Sequence, residues 1–141
     1  MNEPESGDIL GFDYGSVRIG VARASLLARL PEPLEAIDAK KSLWQRVDEL
    51  VAEYRPIRLV VGLPRNMKGQ ETEQSQQVRE FAKVLGIKTG LEVILQDESL
   101  TSVEAEKSLA DTRGSFEKSD VDMFAAAAIL DDYLRITVRE V

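Results

Sequence analysis

Four acidic residues stand where an apolar segment gives way to a turn or a helix: Asp13, the adjacent pair Asp97 and Glu98, and Asp122. The chain has no histidine and no cysteine. That excludes Ser-His-Asp triads, cysteine nucleophiles and Cys/His zinc sites. Chemistry at neutral pH must then rest on carboxylates, lysines, hydroxyls or bound metal. For hydrolysis, a metal held by Asp and Glu is the natural activator, because coordination lowers the pKa of water from ~15.7 toward neutrality. Each acid also has a plainer reading when taken singly. Asp13 suits a turn, where its side chain bonds nearby N–H groups. Asp97, Glu98 and Asp122 suit helix starts, where the macrodipole favours negative charge. Together they say more. Three carboxylates converging without histidine suit Mg²⁺ or Mn²⁺, which prefer oxygen ligands. Two such ions ~3.5–4 Å apart can clamp the attacking water and the leaving oxygen of a phosphodiester.

The elements that must bring these acids together follow from periodicity. Asp8 to Phe12, Arg18 to Ala24 and Leu34 to Ile37 read as strands joined by short connections, which favours antiparallel neighbours. Ser42-Leu43-Trp44-Gln45 has the spacing of a capping box, and Leu43, Val47, Leu50, Val51 and Tyr54 follow at helical intervals until Pro56. Ile57 to Leu63 is a nearly continuous β-branched run, as expected of a strand buried on both faces. After the loop Pro64 to Gln70 comes a helix with Val78, Phe81, Ala82 and Leu85 on one face and Gly86 near its end. Leu91 to Leu95 is a further strand leading into Asp97 and Glu98. Thr101 and Glu104 form a second capping box for a helix to about Thr112, and Arg113 to Lys118 is a polar loop. Ser119 is expected to cap a final helix through about Arg135, with Val121, Phe124, Ala125, Ala128 and Ile129 inward. The order β-β-β-α-β-α-β-α-α implies a mixed five-stranded sheet, three antiparallel strands and then parallel ones, with helices on both faces. This is the layout of the ribonuclease-H-like fold. Asp13 and the Asp97–Glu98 pair would end parallel strands, and ligand sites in such sheets collect beyond the strands' carboxyl ends.

Size and composition fit one domain over residues 1–141, with residues 1–7 as a tail: the chain has 141 residues and 43% hydrophobic content. No apolar run approaches the ~20 residues of a membrane span, the polar acidic start is unlike a signal peptide, and the lack of cysteine fits a cytoplasmic protein. The net charge of −7 is unusual for a nucleic-acid binder, whose affinity comes largely from phosphate neutralisation. Binding would have to be local, through basic residues gathered near the acids. Arg65 and Lys68 in the loop Leu63-Pro64-Arg65-Asn66-Met67-Lys68-Gly69, together with Arg18, are the candidates for backbone contact. Tyr14 is suited equally to stacking on a base and to packing, and Trp44 to covering core.

Four segments in order carry a resemblance: Asp13-x-Gly15-x-x-Arg18-Ile19-Gly20-Val21-Ala22, Val61-Gly62-Leu63-Pro64-x-Asn66-x-x-Gly69, Asp97-Glu98-x-Leu100-Thr101 and Asp122-x-x-Ala125-Ala126-x-x-Ile129-Leu130. Over about Ile9 to Leu134 the chain resembles the YqgF family, also called RuvX, relatives of the Holliday-junction resolvase RuvC. The resemblance implies a ribonuclease-H-like nuclease that trims the 5′ end of the 16S rRNA precursor, with resolution of branched DNA as the alternative. It implies Asp13, Glu98 and Asp122 as catalytic, metal-holding residues for Mg²⁺ or Mn²⁺, two ions being expected. Asp97 is the alternative to Glu98. Adjacent strand residues face opposite ways, so one of the two is the direct ligand. With strand order 3-2-1-4-5, the fifth strand lies two spacings, ~10 Å, from the first, and the longer Glu spans that gap better. The substrate-contacting set is Arg18, Arg65, Asn66, Lys68, Arg113 and Lys118. The expected partner is RNA, or branched or single-stranded DNA, for a monomer or homodimer without membrane attachment. The family reads Asp-Glu-Arg at the third motif where this chain has Ser99, so a phosphate or carboxylate contact is lost there or comes from Arg65, Arg113 or Lys118. A non-catalytic binding module would not need all three acids. An ATPase of the actin and sugar-kinase type would need two such domains.

Overall fold

Side-chain alternation along the first strand divides the molecule into its layers. The computed structural model describes residues 6–98 and 118–138, with no account of the side chains of residues 118–120 and 137–138. β1 (Asp8–Asp13) sends Leu10 and Phe12 to one face of the sheet and Ile9 to the other. β2 (Arg18–Ser25) and β3 (Glu32–Asp38) continue antiparallel from it, while β4 (Arg58–Leu63) and β5 (Glu92–Asp97) add on the other side as parallel strands. The sheet order is β3-β2-β1-β4-β5, the mixed arrangement expected from the sequence. The connections explain the directions: a tight link suffices between antiparallel strands, whereas a parallel pair needs a crossover.

Two helices cover the first face. α1 (Leu43–Tyr54) and α2 (Glu73–Thr89) bury Val47, Leu50, Val78, Phe81 and Leu85 against Leu10, Phe12, Ile19, Val21, Leu59 and Val61. The second face is closed by α3 (Lys118–Val138), whose Ala126, Ile129, Leu130, Tyr133 and Leu134 pack on Ile9, Ala22, Ala24 and Val60. Small residues let α3 lie close to the sheet. A Cβ on Gly11 would stand 2.6 Å from Leu130 Cγ, and one on Gly20 would stand 1.9 Å from the carbonyl oxygen of Asp122. The helix backbone therefore rests directly on β2 at Gly20, which fixes where Asp122 sits. Gly20→Ala should cost about 1–3 kcal/mol by overpacking and move Asp122. Urea denaturation reads the first effect and cleavage assays the second.

Local details differ from the sequence expectation. Ser42 does not close a capping box: its backbone is left-handed (φ 54°, ψ 30°) and its side chain makes no cap hydrogen bond. That conformation turns the hydroxyl away from the first-turn N–H groups, whereas a capping residue holds an extended backbone. Thr72 does what Ser42 does not. It is extended (φ −123°), accepts from the N–H of Ser75, and Ser75 reciprocates at the Thr72 N–H. As expected, Gly86 lies near the end of α2, in its last turn, and the helix closes on Gly90, left-handed at φ 70°, a conformation that glycine adopts without steric cost. β5 carries on through Gln96 and Asp97, and the N–H of Glu98 still donates to Leu63 O at 3.1 Å. Ser119 lies within the first turn of α3 rather than before it. The expected capping box at Thr101 and Glu104, the helix to Thr112, the start of the loop at Arg113 and the first residues of the tail lie outside the described residues. Gly7, expected in the tail, already accepts a hydrogen bond from Leu26 N–H.

Candidate active site

Asp13 and Glu98 meet across a strand that separates them. Asp13 is the last residue of β1, paired with Gly20 of β2. Glu98 follows the last residue of β5, and β4 lies between the two strands. By alternation, Asp13 points to the α3 side together with Ile9 and Gly11. What lets Glu98 reach it is Gly62 of β4. A Cβ there would stand 2.9 Å from Glu98 Oε1 and 2.3 Å from Ile129 Cδ1. Without a side chain at Gly62, the Glu98 carboxylate passes over β4 and enters hydrogen-bonding contact with Asp13.

The electrostatics of this pair are unfavourable for two anions. Burial pushes the Glu98 carboxyl above its ordinary value, the hydrogen bond with Asp13 pulls in the opposite direction, and the negative charge of Asp132 raises it again. Two carboxylates in contact do not both ionise readily unless a cation lies with them. Asp132, on α3, is an acid that the sequence reading did not single out. It lies one turn beyond Ile129, the residue that packs over Gly62, and that helical spacing was the available signal. Gly62 was quoted only as part of a motif; a glycine inside a buried strand is itself a mark of close approach.

Asp122 lies on the α3 turn above Gly20, with its Oδ2 2.8 Å from Arg18 Nε. Arg18 is thus committed to Asp122, and among the described residues no group of three or more acids is arranged to hold an ion. Asp97 faces outward, 61% exposed, with Oδ1 3.0 Å from Arg65 Nε. In the loop after β4, Asn66 Oδ1 accepts from the N–H groups of Lys68 (3.0 Å) and Gln70 (2.9 Å), and Arg65 Nη1 donates to Gly69 O. Gly69 has φ 77°, and Ser75 Oγ anchors the loop by donating to Pro64 O at 2.5 Å. Asn66 therefore shapes the loop with its side chain, while Lys68 projects from it, exposed. Tyr14 packs on Phe81 with ring centroids 4.9 Å apart. Arg113 and Ser99 lie outside the described residues, and Lys118 is placed only as the first residue of α3.

The donor set tests well for a hard divalent cation at the pair and incompletely beyond it. Asp13 and Glu98 offer oxygen ligands in a notch that Gly62 keeps open, and a cation would relieve their repulsion. Asp122, whose Oδ2 is taken by Arg18, would join them through its other oxygen or by leaving Arg18.

Solved structures similar to this chain include resolvases bound to Holliday junctions. The chain is similar to RuvC of T. thermophilus in complex with a Holliday junction substrate (TM-score 0.56, 16% identity, 92% of this chain and 96% of that one). It is also similar to the Fowlpox virus resolvase with Holliday junction DNA (TM-score 0.56, 15% identity, 93% and 99%). These likenesses define the fold, the ribonuclease-H-like fold of the RuvC resolvases. Residues 7–136 match the family RuvX, described as Holliday junction resolvase, and the chain belongs to that family. Curated relatives carry the name "Putative pre-16S rRNA nuclease". The one from Sodalis glossinidius is 38% identical over 92% of this chain and 94% of its own length. The one from Lactococcus lactis subsp. cremoris is 39% identical over 89% and 92%.

Proposed function

We propose that this protein is a divalent-metal-dependent nuclease, hydrolysing phosphodiester bonds at the 5′ end of precursor 16S rRNA in the cytoplasm. The observation that carries the reading is the Glu98 carboxylate laid over Gly62 against Asp13. A binding module gains nothing from two half-buried acids held in contact, one of them desolvated. Such a cost persists at functional sites, where the strain serves the chemistry. The family and the names of the relatives support the same reading.

In this account Asp13 and Glu98 would hold Mg²⁺ or Mn²⁺, and Asp122, paired with Arg18, would be the further ligand if the site took two ions. When bound, the metal supplies a water of lowered pKa and neutralises charge on the phosphate. The protein's own part is placement. Gly62 and Gly20 set the carboxylates, Arg18 steadies Asp122, and the loop carrying Arg65 and Lys68 stands beside the same strand ends to take the phosphate backbone. Resolution of branched DNA is the second reading, favoured by the family description and by the two junction-bound structures of the same fold. It requires a homodimer, so that two sites face two strands. The deciding experiment compares cleavage of precursor rRNA, unstructured RNA and four-way DNA junctions, with Mg²⁺ or Mn²⁺. Preferred cutting of precursor rRNA supports the first reading. Symmetric nicking of junctions by a dimer supports the second, and cleavage of none with either metal refutes both.

The charge balance gives a further expectation. With a net charge of −7, affinity must come from few cations. Lys68→Ala should weaken binding across sequences and reduce the slope of log affinity against log salt by about 0.7 for single strands or 0.9 for duplex. Salt titrations of both proteins measure it, and equal slopes would remove the loop from the interface.

A further inference from the structure

On the other side of the sheet edge from the carboxylates lies an open recess of about 330 Å³, lined by Tyr14, Leu43, Trp44, Gln77, Phe81 and Val84, with Glu80 at its rim. Its aromatic wall is continuous: Phe81 lies 4.9 Å from Tyr14 and 5.8 Å from Trp44 between ring centroids, the latter nearly parallel at 26°. Lys88 Nζ stands 5.3 Å from the centre of the Trp44 ring. Phe81 is buried, whereas Tyr14 and Trp44 remain half-buried and offer surface to the recess. Gln77 and Glu80 are exposed on α2, and neither side chain makes a hydrogen bond or ion pair among the described residues. Tyr14 follows Asp13 directly. Consecutive strand residues point to opposite faces, so one peptide unit carries the carboxylate to the α3 side and the aromatic ring to the recess.

We propose that the recess receives one nucleobase of the nucleic-acid strand whose phosphate lies at Asp13 and Glu98. The inference rests on the nuclease reading above and names a subsite for it. Planar aromatic walls suit a base, which stacks by its π-face whatever its identity. The volume, at the lower end of the ~300–1,000 Å³ range of small-molecule pockets, suits one ring system rather than a longer ligand. The uncommitted Glu80 carboxylate accepts hydrogen bonds, which the N–H groups of a base supply. Lys88, which lies over the Trp44 ring, adds positive charge for a neighbouring phosphate. The strand would bend around the sheet edge at Tyr14, placing the nucleotide next to the scissile phosphate in the recess.

Trp44 is the only tryptophan of the chain, so its fluorescence reports on the recess alone. The test uses the full-length protein and the best-cleaved oligonucleotide, synthesised as a series in which single positions near the cut lack their base. We expect one flanking position at which the abasic substrate binds roughly tenfold or more weakly, in line with measured base–aromatic stacking. The same substitution should abolish a saturable quenching of Trp44 that the intact strand produces. Val84→Phe, which fills the recess, should make the two substrates equivalent. The abasic series on the unaltered protein decides the matter even if that variant fails to fold. A flat series with Trp44 fluorescence unmoved overturns the subsite while leaving the nuclease reading intact. If no strand is cut, the nuclease reading fails on its own. Titration of Trp44 with the same intact and abasic strands then decides base binding: base-dependent quenching supports the recess, and its absence refutes it.

Discussion

Asp13→Asn should abolish detectable cleavage in a protein that remains folded. Asp13 closes β1, and its carboxylate contacts Glu98 across the Gly62 notch. The amide keeps the shape and a hydrogen-bonding group but loses the charge that, in the proposed account, would hold a divalent ion. Losing one such ligand removes several kcal/mol of transition-state stabilisation, or roughly a thousandfold in rate. The backbone pairing of β1 with β2 and β4 does not depend on that side chain, so circular dichroism and the urea midpoint should show a native fold. Single-turnover cleavage of the preferred substrate measures the loss. A folded variant cutting at the rate of the parent would refute the assignment.

Glu98→Gln should act on rate and stability in opposite directions. Cleavage should fall about a thousandfold, for the same electrostatic reason as at Asp13. In chelator, at a pH above the elevated Glu98 value, however, the variant should be the more stable protein. Burial raises the folded-state value of Glu98 above the ordinary 4.5. The folded state therefore holds that proton more tightly than the unfolded state does. The corresponding stability is fully present below about pH 4.5 and is lost as the pH rises through the elevated folded value. As the pH rises through that elevated value the metal-free parent bears the cost of ionising the half-buried Glu98, and glutamine removes it. Mg²⁺ should stabilise the parent and leave the variant largely unmoved. Asp97→Asn is the control. Its carboxylate is 61% exposed and paired only at the surface with Arg65, an interaction of about 0–1 kcal/mol, and its loss should change rate and stability little. Thermal melts with chelator and with Mg²⁺, beside single-turnover rates, separate the three proteins. A larger loss of rate in Asp97→Asn than in Glu98→Gln would reverse the assignment.

The sheet was legible because its signals are local. The β-branched run before Leu63 announces a strand buried on both faces, and the short links around Asp13 and Pro31 announce antiparallel neighbours. The aromatic contacts of Phe81 likewise follow from helical spacing. The inner face of α3 was read only in part: Ala125 and Ile129 are buried as expected, whereas Ala126, Leu130, Tyr133 and Leu134 complete the contact and Val121, Phe124 and Ala128 stay half-buried. Of the site, the identities of the acids were legible and their partners were not. That Asp122 is engaged by Arg18 depends on the height at which α3 crosses β2, and Gly20 sets it through contact with the Asp122 carbonyl. That Glu98 clears β4 depends on an absent side chain at Gly62, something motif spacing alone does not reveal. Ser42 failed as a cap for a related reason: composition names a capping residue, but the incoming chain from β3 sets its backbone angles. Asp132 escaped notice because an acid on a helix usually faces water, and only the packing of Ile129 over Gly62 turns that stretch of α3 toward Glu98.

The most direct test of the central claim is the single-turnover cleavage rate of RNA spanning the 5′ end of precursor 16S rRNA, measured against free Mg²⁺. The unaltered protein and the doubly substituted Asp13→Asn, Glu98→Gln variant are compared. The predicted result is no cleavage in chelator, a rate that rises and saturates with Mg²⁺ for the parent, and none at any Mg²⁺ concentration for the folded double variant. Cleavage that persists in chelator, or that the folded double variant retains, would contradict a metal-dependent site built on the Asp13–Glu98 pair.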